Sequence, residues 1–231
     1  HDSLSCLLSM ILNAMLSHGY VPPKIMYTII VPIIKDKKGL VTDKDNYRPI
    51  AITTVMSKLM ELMLLERMSD ELQTVCNQFG FKRKSGTDFC IFTLKQIIEF
   101  YKYKNSPVYI CFLDASKAFD RLNHWSLFRK LIDRNVNVIL IRLLLYWYRC
   151  QEFCVRWGNT ISDFFHVSNG VRQGGIMSPT LFNVYMDDLS KCLNNSGIGC
   201  SFNGVLYNHL MYADDTCILA PSPCSLYKLL G

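Results

Sequence analysis

The sequence predicts an α+β fold, and three observations predict it. Apolar residues recur at helical spacing, most clearly over Leu4–Leu16, and Val138–Cys150 reads as a nearly all-apolar helix. Between them lie short apolar runs bounded by turn signals such as Gly158-Asn159 and Asn203-Gly204, the signature of hairpins. The run Val108–Leu113 is apolar on both faces, since Val108, Ile110 and Phe112 alternate with Tyr109, Cys111 and Leu113. A two-sided strand of that kind belongs in the middle of a sheet covered on both sides. With 231 residues, half of them hydrophobic and 19% charged, the chain is globular and can hold one large domain or two small ones. The net charge of +6 is compatible with a polyanionic partner but weak as a signal.

Taken in order, Leu4, Leu7, Leu8, Ile11, Leu12, Met15 and Leu16 define a first helix that Gly19 ends. Pro22-Pro23 is an extended connector. Tyr27–Ile34 reads as a strand, placed at a sheet edge by Pro32. Asp36-Lys37-Lys38-Gly39 turns it back into a return strand, Asn46–Ile52. Thr53 or Thr54 then caps a helix from Val55 to about Leu72. Gln78–Ser85 is a basic loop, on charge alone as readily a solvated run as a binding segment, and Thr87 caps a helix to about Lys104. Helices follow near Trp125–Ile132 and over Val138–Cys150, the latter read as core. Phe153–Trp157 and Phe164–Ser168 are expected to pair about Gly158-Asn159. Ser178 caps a helix with Pro179 in its first turn, running to about Leu193.

The ten cysteines include no CxxC pair, which argues against a zinc site. Most lie in apolar runs and are expected to be buried, reduced thiols with no disulfide partner. That usage points to an intracellular compartment, nucleus or cytoplasm. Leu4–Leu16 is too short for a membrane span and lacks a basic leader. The sequence opens at His1 and stops in a helix-like stretch after Pro223, so it is expected to be a piece of a longer protein.

The chemistry is carried by two acidic strand ends. The Val108 run ends on Asp114, and a charge there needs a partner, either a metal ion or a cation at the sheet's edge. A hundred residues on, two apolar runs flank Asp214-Asp215 and read as a hairpin with the aspartates at its tip. Side by side, these carboxylates would form an oxygen cage for Mg²⁺. Two such ions, about 3.5–4 Å apart, would clamp the attacking and leaving oxygens of a phosphoryl transfer. A look-alike, Asp187-Asp188, follows Leu181, Phe182, Val184 and Tyr185 at helical spacing and is expected on a solvated helix face, so the later pair is preferred. Between the two sites, Gly174-Gly175 precede a helix N-terminus, where backbone can approach an anionic ligand.

Taken together and in order, Asn46–Ile52, Gln78-Phe79-Gly80-Phe81 with Gly86-Thr87, Phe112–Asp120, Gly170–Pro179 and Tyr212–Asp215 resemble the reverse transcriptase domain of non-LTR (LINE-type) retrotransposons. The resemblance covers roughly residues 25 to 220. It implies a right-hand polymerase, with an N-terminal helical extension over 1–24, fingers over 25–105 and a palm over 106–231. The palm would be an antiparallel sheet packed on helices, partly interleaved with the fingers, and the thumb is missing. It implies an RNA-directed DNA polymerase using two Mg²⁺ ions, with Mn²⁺ as an alternative. Its partners would be an RNA template, a DNA primer or target and a dNTP, with no membrane.

Position by position, the resemblance makes Asp114, Asp214 and Asp215 the catalytic, metal-binding carboxylates and the Ala115 carbonyl a backbone ligand. Phe119 matches the bulky gate against the 2′-hydroxyl of the nucleotide, and Arg48 the fingers arginine on the triphosphate. Gln173 and Gly174 would lie against the nascent base pair, while Asp120 makes local hydrogen bonds. Lys35 and Lys38, and the run Lys82, Arg83 and Lys84, are candidate nucleic-acid contacts. The later palm motif, the primer grip and the thumb that the resemblance implies are expected to lie past this stretch. Two alternatives stand beside this reading: a group II intron maturase-like reverse transcriptase, and a decayed or domesticated element serving as a nucleic-acid-binding scaffold.

Overall fold

The computed structural model describes residues 2–82 and 85–231; Arg83 and Lys84, part of the expected basic run, lie outside the described residues. In chain order the elements are α1 (Asp2–His18), α2 (Pro23–Met26), β1 (Thr28–Ile34), β2 (Tyr47–Thr53), α3 (Val55–Arg67), α4 (Thr87–Tyr103) and β3 (Tyr109–Leu113). Next come α5 (Ala118–Arg121), α6 (His124–Asp133), α7 (Val138–Cys150), β4 (Phe153–Trp157), β5 (Thr160–Ile161) and α8 (Ser178–Asn195). The chain closes with β6 (Cys200–Phe202), β7 (Val205–Tyr207), β8 (His209–Tyr212), β9 (Asp215–Ala220) and α9 (Pro223–Leu230). No helix among the described residues is long and apolar enough to cross a membrane. Two compact units are formed, each from two stretches of sequence: residues up to Leu72 with Phe119–Leu181, and Gln73–Ala118 with Phe182–Gly231.

The first unit carries a mixed sheet in the order β2-β1-β4-β5. β1 and β2 pair antiparallel from Thr28↔Thr53 to Ile34↔Tyr47, and β4 runs parallel to β1 over Thr28–Ile30 only. Pro32 therefore lies where β1 has a single neighbour, although the strand as a whole is not the edge its proline suggested: the missing N–H is tolerated because β4 has already ended. The Gly158-Asn159 turn leads at once into β5, with Trp157↔Thr160, so the returning arm begins four residues before Phe164; Phe165 makes only an isolated bridge to Phe153. Thr54 is the N-cap of α3, its hydroxyl accepting from Ser57 N–H at 3.1 Å. The helix stops at Arg67, short of the expected Leu72.

Beneath the glycine-rich loop that precedes α8 sits an ion pair that apolar patterning does not announce. Glu61 faces inward from α3 beside Ser57, Met60 and Leu64 and is 1% exposed. Its carboxylate pairs with the buried Arg172 guanidinium and accepts from the Ile176 and Met177 N–H groups, the latter at 3.0 Å. Arg172 also lies 4.9 Å over the Trp147 ring. Each buried charge is thus met by opposite charge and hydrogen bonds.

The second unit is built on an antiparallel sheet in the order β3-β9-β8. β9 is the strand covered on both faces. Cys217 and Leu219 enter one core with Phe79, Ile97, Cys200 and Leu210, whereas Ile218 and Ala220 enter another with Leu193 and Leu229. This corrects the sequence reading of Val108–Leu113, since β3 stands at the edge and Phe112 is 72% exposed. Two apolar faces mark a strand that is able to sit centrally, and here the position goes to the strand with two hydrogen-bonded neighbours. Gly86, not Thr87, occupies the N-cap of α4. The ten cysteines are all free, but only Cys154, Cys200 and Cys217 are fully buried, while Cys6, Cys76, Cys192 and Cys224 are exposed.

His209 on β8 is fully buried. Its Nδ1–H faces Asn208 Oδ1 at 2.7 Å and its Nε2 meets the Ser190 hydroxyl, the pattern of a neutral ring. Burial pulls its pKa down to about 4.

Two outcomes follow from this packing. Glu61→Leu should destabilise by about 3–5 kcal/mol by stranding the Arg172 charge, and adding Arg172→Met should restore most of the loss in urea unfolding; equal loss in both variants would rule out the stranded charge as the cause. For His209, the unfolded imidazole takes up a proton as pH falls through 6.5 while the folded one stays neutral to about 4. Stability present above pH 6.5 should therefore be lost toward pH 4 by up to about 1.4 kcal/mol per unit. Unfolding measured across that window should show a flatter slope for His209→Gln.

Candidate active site

The register of the second unit brings the three acidic residues together. β3 and β9 pair through Leu113↔Thr216, so the next residues outward, Asp114 and Asp215, face each other just past the ladder. β8 and β9 pair through Tyr212↔Asp215, leaving Ala213 and Asp214 as a two-residue turn with Ala213 at φ 58°. Asp114 and Asp215 line one cleft of about 300 Å³ whose other walls include Leu94, Phe112 and Tyr212. Partial burial, with the like charges of Asp214 and Asp114, pushes the Asp215 carboxyl up.

The donor set suits a hard divalent ion, being carboxylate oxygens, and the concentrated negative charge needs a counterion. Among the described residues no three His, Cys, Asp or Glu side chains close into a ready metal cage. Mg²⁺ does not require one, because it is usually held by one or two carboxylates together with phosphate oxygens and water. The residues present therefore fit the ion.

Asp187 is not on a solvated face. It is 2% exposed, accepts from Val75 N–H at 2.9 Å and pairs with Lys191 one turn on at 2.7 Å. Only Asp188 is exposed. Lys82, expected in a solvated or phosphate-binding run, turns inward instead and gives its ammonium to the Thr74 and Val75 carbonyls, with burial lowering its pKa.

The first unit gathers another set. The loop after β5 folds back on α5, with Gly170 N–H donating to Leu122 O at 2.6 Å and Val171 N–H to Phe119 O at 2.9 Å. The Gln173 side-chain amide donates to Asp120 Oδ1 at 3.2 Å, and its backbone carbonyl accepts from Ala51 N–H at 2.6 Å. Gly174 sits at φ +112°, and a Cβ there would lie 2.8 Å from Ala51 O, so a side chain is excluded twice over. Gln173, Asp120 and Ala51 line a cleft of about 190 Å³ with Pro49 and Gly170. Arg48 projects from β2 into solvent, opposite Ile33. Phe119, half-buried on α5, joins this group through its backbone. Lys35 and Lys38 lie on the exposed β1–β2 connection, where Lys35 Nζ donates to Asp45 O at 2.9 Å.

Sequence reasoning missed two supports. One is the Glu61–Arg172 pair under the loop, whose available signal was a glutamate on the inward stripe of α3. The other is Gln78, which was matched as part of a motif but given no work; its amide bonds both the N–H and the C=O of Ala213.

The family model for reverse transcriptase (RNA-dependent DNA polymerase) matches residues 34–230. The RNA-directed DNA polymerase from mobile element jockey of Drosophila funebris is 30% identical over 232 residues, covering 96% of this chain and 24% of that protein. The Pol polyprotein from type-2 retrotransposable element R2DM of Drosophila melanogaster is 28% identical, covering 95% and 20%. Among solved structures, apo telomerase from Candida tropicalis matches with a TM-score of 0.62 at 12% identity, over 99% of this chain and 46% of that one, a likeness of fold. The chain spans about a quarter or less of the length of these retroelement relatives. On a family match that runs over most of its residues, the chain belongs to the reverse transcriptase family, with relatives among the non-LTR retrotransposon polymerases.

Proposed function

We propose that the chain is the fingers-and-palm part of an RNA-directed DNA polymerase that extends a DNA primer on an RNA template. The observation that carries this is the strand register setting Asp114 opposite Asp215, with Asp214 on the adjoining turn. Fingers are drawn from 25–105 and palm from 106–231, a division by role that cuts across the two compact units. The compartment would be intracellular.

Asp114, Asp214, Asp215 and the Ala115 carbonyl would hold the divalent ions. When bound, a pair of Mg²⁺ or Mn²⁺ ions would make the primer 3′-hydroxyl a better nucleophile and neutralise the departing pyrophosphate. The protein's own part is positioning, so no nucleophilic side chain is needed. Arg48 presents a planar fork suited to a triphosphate. Gln173, its amide oriented by Asp120, and the side-chain-free Gly174 offer a floor on which a nascent base pair can rest. Phe119 excludes a 2′-hydroxyl by bulk, which is selection by repulsion. Lys35 and Lys38 would meet backbone phosphates, which position nucleic acid without reading sequence.

In a whole polymerase carrying this segment, Asp114→Asn or Asp214→Asn should reduce primer extension to background while duplex binding persists. Asp187→Asn should keep extension and lower stability by about 1–3 kcal/mol, because it weakens a buried hydrogen bond. Loss of extension in Asp187→Asn, with Asp214→Asn active, would transfer the site to the other acidic pair. Phe119→Val should raise ribonucleotide incorporation relative to deoxynucleotide, measured on one template with competing substrates; an unchanged ratio removes the gate.

A further inference from the structure

The stretch Asn77–Gly80 is a brace laid along the outer side of β8. Met211 N–H donates to Asn77 O and Phe79 N–H to Met211 O, each at 2.8 Å, which makes Gln78↔Met211 a parallel bridge. Asn77 Nδ2 adds a bond to His209 O at 3.0 Å. From this brace the side chain of Gln78, a residue 3% exposed, reaches past the end of β8 to the turn. Its Nε2 donates to Ala213 O at 3.2 Å, and its Oε1 accepts from Ala213 N–H at 3.0 Å and from Gly80 N–H at 2.9 Å.

One side-chain amide thus binds both backbone groups of a single residue, as a neighbouring strand would. That residue needs holding, because Ala213 adopts φ 58°, a region unfavourable to any side chain with a Cβ. Close approach is built in as well: a Cβ at Gly80 would lie 2.3 Å from Ala213 N. On its other side Gly80 is fixed by Asn183 Nδ2, which donates to its carbonyl at 2.8 Å. A residue present only to fill space would make none of these bonds, and all of them converge next to Asp214.

We infer that Gln78 is a positioning residue for the acidic hairpin: by clamping Ala213 it sets the direction in which Asp214 and Asp215 present their carboxylates. This rests on the proposed reading of Asp214 as a metal ligand.

The test uses a whole polymerase carrying this segment. Gln78→Met keeps length and volume but removes the three bonds, whereas Gln78→Glu keeps the acceptor and loses the donor. The expected result for Gln78→Met is a rise of about 10–100-fold in the Mn²⁺ concentration needed for half-maximal extension, the usual effect of losing an outer support of a metal ligand. Calorimetric Mn²⁺ binding to the enzyme–template–primer complex should weaken in parallel, with little change in duplex affinity, and Gln78→Glu should recover part of the loss. Parental Mn²⁺ dependence in a folded Gln78→Met, with Asp214→Asn inactive, overturns the positioning role alone. An active Asp214→Asn overturns the underlying reading instead. If Gln78→Met does not fold, amide exchange in the parent decides: the Ala213 amide should be protected despite lying at a hairpin tip, the Gly80 amide with it, and free exchange there sinks the clamp.

Discussion

The hydrogen-bond register of β9 decides where every carboxylate of the proposed active site stands. β9 is gripped by β3 on one side and β8 on the other, and alternate residues enter two different cores. A slip of one residue would exchange Cys217 and Leu219 with Ile218 and Ala220 and present each set to the wrong core. The register is therefore enforced by apolar packing well away from the acidic end. Asp114 and Asp215 meet because hydrophobic residues several positions along the strands cannot meet otherwise.

Much of this was legible in the chain. The β1–β2 hairpin, the acidic turn and most helices follow from periodicity and turn residues, and the ordered motifs pointed to the family. What failed did so for identifiable reasons. Phe112 reads as buried because apolar alternation reports which strands can be covered on both sides, not which one wins the central place. Asp187 reads as solvated because local spacing cannot show that the Val75 N–H, over a hundred residues away in sequence, arrives to meet it. The inward turn of Lys82 has the same origin, since the carbonyls it satisfies belong to a bend that no periodicity describes.

Buried polar groups lie under two irregular stretches of backbone that carry residues of the proposed site. Glu61 and Arg172 lie beneath the loop bearing Gln173 and Gly174, and Gln78 with Asn183 lies beneath the turn bearing Asp214. Loops expose N–H and C=O groups that no ladder satisfies, so something must answer them when they are drawn inward. Side-chain amides and carboxylates do so here, and unlike apolar filler they fix direction as well as distance.

The edge placement of β3 has a consequence of a different kind. Among the described residues its outer backbone has no strand beside it in the sheet, and Tyr109, Phe112 and Leu113 lie substantially exposed along it. An open rim of this sort is a template for pairing between molecules. The strand that delivers Asp114 is thus also where copies of the isolated segment would tend to zip together, and keeping such a sample monodisperse becomes a matter of covering one short stretch of main chain.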